Sequence, residues 1–176
     1  MSVSRVAASS RRQRGVGMLE VLVALLIVAF GALGYAGLQL TALRNSSDAN
    51  DRAHAAMIAQ DAIERIKANP AEAEYYANST NWPESAVGEN GGPDDWKGCM
   101  TSICESDEMA IWDIKQLVWA ASFSLPGGRV MALDCAFNSL GCVVVSWEDQ
   151  EPSQCISNTG INTADDSKCL VMEISL

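Results

Sequence analysis

The hydrophobic pattern begins with a run of 23 residues, Val16 to Leu38, whose only charged residue is Glu20. At about 1.5 Å per residue, a helix of this length crosses the roughly 30 Å hydrocarbon core of a bilayer. A secretory signal peptide would have a shorter apolar region followed by a small-residue cleavage site. The run therefore predicts a transmembrane helix over residues 16–38, with the buried core helix of a soluble protein as the alternative.

Residues 39–69 continue the helical pattern in amphipathic form, without Gly or Pro. Four apolar residues recur at the i, i+3, i+4, i+7 spacing: Ala59, Ala62, Ile63 and Ile66. Asp61 and Arg65 stand four residues apart in the favourable order for an ion pair. Because Pro70 disfavours the helix before it, the pattern predicts one helix from Val16 to Asn69. Its second half is expected to pack on its own domain.

Residues 70–176 carry the pattern of a small head with mixed helix and strand. Turn-forming residues over 78–98 indicate a loop. A short helix is expected over 107–121, capped by Ser106 or Asp107. Its apolar side would comprise Ile111, Ile114, Leu117, Val118 and Ala121.

Three strands are predicted in the same head, over 129–137, 142–149 and 169–176, with a tight turn at 138–141. The alternation in the last strand indicates a half-buried strand at a sheet edge. The predicted fold class is therefore α+β, with a long N-terminal helix packed on a small antiparallel sheet.

Charge separates a basic N-terminal segment from an acidic body. The chain has 12 Lys+Arg against 22 Asp+Glu, a net charge of −10, and four of the arginines lie within residues 1–15. The acidic balance argues against a nucleic-acid groove, so no nucleic-acid partner is expected. By the positive-inside rule, the basic segment stays cytoplasmic and residues 70–176 lie outside the inner membrane, in the periplasm.

Six cysteines all lie in the second half of the chain: Cys99, Cys104, Cys135, Cys142, Cys155 and Cys169. An even number in an exported domain favours disulfides. Zinc fits poorly because there is no C-x-x-C and the only histidine, His54, is remote from the cysteines. Proximity favours three local pairs in chain order, although six cysteines allow fifteen connectivities.

The residues RGVGMLEVLVALLIVAF, Arg14 to Phe30, resemble the prepilin signature of type IV pilins and type II secretion pseudopilins. The resemblance implies a leader over residues 1–15, cut by prepilin peptidase after Gly15. Val16 would then be the first mature residue, with an N-methylated amine, and Glu20 the fifth. The implied fold is the type IV pilin fold.

Further segments, GALGYAGLQLTAL, LPGGRV and VVVSW, resemble the PilV family of minor pilins, the type IV pilus modification proteins. This implies a structural subunit at or near the pilus tip, contributing to assembly or priming, with adhesion left open. The implied partners are other minor pilins, the major pilin, the inner-membrane assembly machinery and membrane lipid. The subunit would reside in the inner membrane before assembly and in the pilus afterwards. A type II secretion minor pseudopilin is the alternative, and an anchored periplasmic binding protein is a third class.

Glu20 is the principal candidate for a functional side chain, since a carboxylate in a membrane span usually marks function. One interpretation is pairing with the new α-amine of a neighbouring subunit, and the other is snorkelling to the membrane interface. Motifs for common enzymes are lacking, including G-x-x-x-x-G-K, H-E-x-x-H and G-x-S-x-G. No catalytic residue, metal or cofactor is therefore expected.

Overall fold

The structure is a computed structural model that describes residues 17–83, 92, 98–164 and 166–175. Helix α1 spans Met18–Ala68. The chain divides into two compact units, the first ending at Ser46 and the second beginning at Ser47, so α1 contributes residues to both. Val16, at the predicted helix start, lies outside the described residues. Helix α1 ends two residues before Pro70, as expected from the restriction that proline places on its predecessor.

Short helical segments follow α1 in the second unit. A 3-10 turn at Pro70–Glu72 leads into α2, Ala73–Ala77, and a second 3-10 turn covers Ser79–Asn81. Helix α3 is a single turn, Gly98–Thr101. The sequence pattern did not predict α2, which is shorter than the window that helical periodicity requires.

Helix α4 spans Ser106–Ser124 and begins after Glu105, whose backbone N–H donates to the Glu108 side chain at 3.1 Å. The predicted caps, Ser106 and Asp107, are wrong, because both lie within the helix. Ile111 is also misassigned to the buried side, since it is 42% exposed. The other four predicted residues are buried, and Ala110 and Asp113, which were not predicted, are buried with them.

The head also contains a three-stranded antiparallel sheet, ordered β1-β2-β5. Its strands are β1 (Arg129–Asp134), β2 (Gly141–Ser146) and β5 (Cys169–Ile174). A small separate hairpin joins β3 (Ile156–Ser157) to β4 (Gly160–Ile161). The long helix, the antiparallel sheet and the edge position of the last strand agree with the prediction, and the fold is consistent with that of type IV pilins.

The core lies on both faces of this sheet. Helical residues Ala55, Ile58, Ala59 and Ala62 pack in one cluster with Leu117, Val118, Val143, Val145 and Trp147. The other face is covered by a smaller cluster containing Cys135, Cys142, Val144, Cys155 and Ile156. Strand β2 is buried along its whole length because it is the central strand with a cluster on each face.

Candidate assembly site

The described residues of the first unit form an apolar helix with no buried side chain. Every α1 residue from Met18 to Ser46 is exposed, including Leu33 at 71% and Phe30 at 64%. The helix is long and apolar enough to cross a membrane, by length and composition. Soluble proteins rarely expose so large a contiguous apolar surface without a partner. The surface therefore needs lipid or other helices around it.

Glu20 lies in the first turn of α1, exposed among these apolar side chains, with its backbone N–H donating to Gly17 O at 2.9 Å. A carboxylate near a helix N-terminus is favoured by the helix dipole. The other two N-terminal site residues, Gly15 and Val16, lie outside the described residues. The pairing of the Val16 amine with Glu20 of a neighbouring subunit thus remains a prediction about the assembly.

The six cysteines form three disulfides in the structure: Cys99–Cys104, Cys135–Cys142 and Cys155–Cys169. These are the local pairs that proximity favours. Cys135–Cys142 joins the facing ends of β1 and β2, where Cys135 N also donates to Leu140 O at 2.8 Å. Cys155–Cys169 ties the loop before β3 to the start of β5. The Cys155–Cys169 link thus holds a loop-rich part of the head to the sheet.

An ion cluster surrounds Asp48, at the start of the second unit. Lys168 Nζ donates to one carboxylate oxygen at 2.6 Å, and Arg52 Nε donates to the other at 3.0 Å. The hydrogen bonds from Lys168 and then Arg52 hold the pKa of Asp48 below its ordinary value. In turn, the bond to Asp48 raises the pKa of Lys168. The cluster fastens the loop before β5 to α1.

Arg52 adds two further contacts to this cluster. Its Nη2 donates to Ser167 O at 3.0 Å, and its guanidinium lies 5.6 Å from the centre of the buried Trp147 ring. This position is within the range of a cation–π interaction. Arg52 therefore connects the ion cluster to the core of the head.

A second polar cluster is centred on the buried Asp113 of α4. Arg65 Nη1 donates to Asp113 Oδ1 at 2.7 Å, and the Tyr76 hydroxyl donates to Oδ2 at 2.8 Å. Burial, and then the hydrogen bond to Asp113, raise the pKa of Tyr76. Burial acts to lower the pKa of Arg65, but its hydrogen bonds to Asp61 and Asp113 outweigh that effect and raise it. Asp113 thus links α1, α2 and α4.

The predicted Asp61–Arg65 ion pair is confirmed, with Arg65 Nε donating to Asp61 Oδ1 at 3.0 Å, but sequence reasoning missed the long-range contacts of both clusters. The Asp48–Arg52 spacing of four was visible on a helix, but Lys168 is 120 residues away from Asp48. Asp113 lies 48 residues from Arg65 and 37 from Tyr76. No local pattern connects residues at such separations. Within the described residues, no group of three or more His, Cys, Asp or Glu side chains is arranged to hold a metal.

Two family matches accompany this geometry. Residues 37–115 match the family described as Type IV pilin Tt1218, and residues 10–36 match the prokaryotic N-terminal methylation motif. Together they support a type IV pilin, and the motif implies processing by prepilin peptidase and assembly with other pilins. No curated protein and no solved structure matches significantly.

Proposed function

We propose that this chain is a minor pilin of the PilV type, a structural subunit that enters a type IV pilus at or near its tip. The observation that carries the proposal is the apolar half of α1, in which every described residue is exposed and Glu20 is the single carboxylate. Before assembly, residues 16–38 cross the inner membrane and residues 70–176 form the periplasmic head. After assembly, the same apolar surface packs against the helices of other pilins.

Cleavage after Gly15 creates the cationic group that pairs with Glu20 on this surface. The new α-amine of Val16, methylated after cleavage, is cationic at neutral pH. Glu20 of one subunit pairs with the Val16 amine of its neighbour, which offsets part of the cost of placing each charge among apolar helices. A subunit in the wrong axial register leaves both charges unpaired, so the pair fixes the register.

Mass spectrometry of sheared pili tests the processing step. The chain recovered from filaments should begin at Val16 and carry a methylated amine. Gly15→Leu should leave residues 1–15 attached and exclude the chain from filaments, whereas Ser10→Leu, with the same side chain elsewhere in the leader, should be processed normally. Filament-associated chain that retains its leader would contradict the proposal. So would a processed chain that stays in the membrane of piliated cells and never enters sheared pili.

A further inference from the structure

Among the described residues, strand β5 is paired along one edge only. Its residues face β2 in antiparallel register, with Val145 opposite Leu170 and Val143 opposite Met172. Within the part of the chain that the structure describes, no hydrogen bond reaches the backbone of β5 from its other side. The strand therefore presents an open edge of unpaired N–H and C=O groups.

The register identifies which backbone groups point outward. Just beyond the paired ends of β2 and β5, Trp147 N donates to Lys168 O at 3.1 Å, so this pair occupies a hydrogen-bonded position of the ladder. Because bonded positions alternate along an antiparallel ladder, Leu170, Met172 and Ile174 also bond towards β2. The outward N–H and C=O groups are those of Cys169, Val171 and Glu173.

This open edge is held in place and lacks the usual protection. The Cys155–Cys169 disulfide fixes its first residue, and Asn138 Nδ2 donates to Glu173 Oε1 at 2.8 Å near its end. The strand has no proline, lysine or arginine and pairs without a bulge, the features that commonly block edge pairing. A partner strand would therefore pair at little cost in ordering.

Apolar and charged side chains on β5 define what kind of strand fits. Leu170, Val171 and Met172 are each only half-buried, so an added strand with apolar side chains covers them. Glu173 is exposed beside them and attracts a basic side chain on that strand. Without the four arginines of residues 1–15, the chain carries eight Lys+Arg against 22 Asp+Glu, a net charge of −14. The repulsion between two such chains, and the lack of a base in β5, disfavour a second copy.

We propose that the outer edge of β5 accepts an extended, base-bearing strand from the head of a different pilin subunit, which extends the sheet by one strand. Backbone hydrogen bonds to Val171 and its outward neighbours provide the affinity, and the side chains provide the selectivity. This inference rests on the proposed function, because it requires neighbouring pilin heads.

The test is site-specific photo-cross-linking of the full-length chain in piliated cells. The cross-linker replaces Ser175, which follows β5 and is exposed, or Leu33, which lies in the exposed half of α1. We expect Ser175 adducts with a different pilin subunit. Val171→Pro removes one outward N–H, so one backbone hydrogen bond to the partner strand is lost. The yield of Ser175 adducts should therefore fall about tenfold, which corresponds to about 1.4 kcal/mol. Val171→Ala shortens the same side chain but keeps the N–H, so its adducts should persist.

The two cross-linking positions separate this inference from the proposed function. Leu33 adducts with pilins but no Ser175 adducts would overturn the edge proposal alone, and loss of both would overturn the proposed function. Ser175 adducts with a second copy of this chain, or adducts that survive Val171→Pro unchanged, would also overturn the edge proposal. If Val171→Pro fails to accumulate, Glu173→Lys is compared with Glu173→Gln. Only the lysine should repel the basic strand, so equal adduct yields would count against the proposal.

Discussion

The two halves of α1 have the same backbone conformation and opposite surroundings. From Met18 to Ser46 every side chain is exposed and only Glu20 is acidic. From Ser47 to Ala68 one face is buried, chiefly through the small residues Ala55, Ala59 and Ala62, and the other face carries ion pairs. Helix propensity favours the second half, which has no glycine, over the first half, which contains Gly31, Gly34 and Gly37. The first half takes its stabilisation from its environment, and the second half takes it from its own head.

The largest expected effect is at the only acid in the first half. Glu20→Ala leaves the amine of the neighbouring subunit unpaired among apolar helices, which costs about 3–5 kcal/mol for a buried pair. Filament incorporation should therefore fall by a factor of roughly 150 to 5,000, while insertion into the membrane stays intact or improves. Immunoblots of sheared pili and membranes measure both quantities. Normal incorporation would show that Glu20 only snorkels.

The corresponding polar group in the head is Asp113. Asp113→Ala leaves the Tyr76 hydroxyl without its acceptor and the partly buried Arg65 with only the exposed Asp61. The variant should lower the free energy of unfolding by about 3 kcal/mol. Asp61→Ala removes the exposed partner of the same arginine and should cost about 0.5 kcal/mol. Denaturant titration of the full chain in detergent, followed by tryptophan fluorescence, compares the two variants. Equal losses would refute the central role of Asp113.

The Cys155–Cys169 disulfide is expected to contribute most among the three. Replacing both cysteines with serine releases a loop of 15 residues and should cost about 3 kcal/mol in the chain-entropy model. Cys99→Ser with Cys104→Ser opens a much shorter loop and should cost less. The same titration ranks the pairs, and non-reducing peptide mapping checks the connectivity. A Cys135–Cys155 or Cys142–Cys169 linkage would contradict the local pairing.

The same substitution at one alanine in each half of α1 compares the two halves directly. Ala59 is fully buried, so Ala59→Leu overpacks the core and should cost about 2 kcal/mol of head stability. Ala36 is exposed in the first half, and Ala36→Leu should leave head stability unchanged. The titration used for Asp113 also applies here. Similar losses for the two variants would mean that the halves are not energetically distinct.

The smallest effect is the pH dependence from Asp48 and Lys168. Because the pKa of Asp48 is lowered, its contribution to stability is present above pH 3.8, the ordinary pKa of the group. That contribution is lost as the pH falls through the lowered pKa. Because the pKa of Lys168 is raised, its contribution to stability is present below pH 10.5, the ordinary pKa of the group. That contribution is lost as the pH rises through the raised pKa. Asp48→Asn should therefore cost about 0.5 kcal/mol between these limits, since the pair is partly exposed.

Asp51→Asn is the control for this pH dependence. It removes the same charge from a residue that forms no ion pair within the described part of the chain, and should leave the pH profile of stability unchanged. Thermal unfolding across pH values compares the two variants with the parent chain. A profile for Asp48→Asn that parallels the parent at all pH values would exclude the contribution of the pair.

Sequence periodicity predicted the elements whose burial repeats regularly. The buried face of α1 and the strands of the sheet belong to this group, because apolar spacing and burial coincide there. The position of Glu20 was also evident, as one charge in an apolar run. The burial of Asp113 was not evident, because in the sequence a lone acid on an amphipathic helix resembles a solvated residue. Its partners Arg65 and Tyr76 are adjacent only in the folded head. The Glu105 start of α4 was missed because Glu is not among the preferred N-cap residues.

The three disulfide loops follow one another along the chain without overlap. In a head that is translocated in chain order behind the membrane span, each cysteine that completes a pair is the next one to emerge after its partner. Oxidation in order of emergence therefore yields the native set directly, although six cysteines allow fifteen. The head can be oxidised while it is still being translocated, and it has little need of an isomerase to correct its bonds.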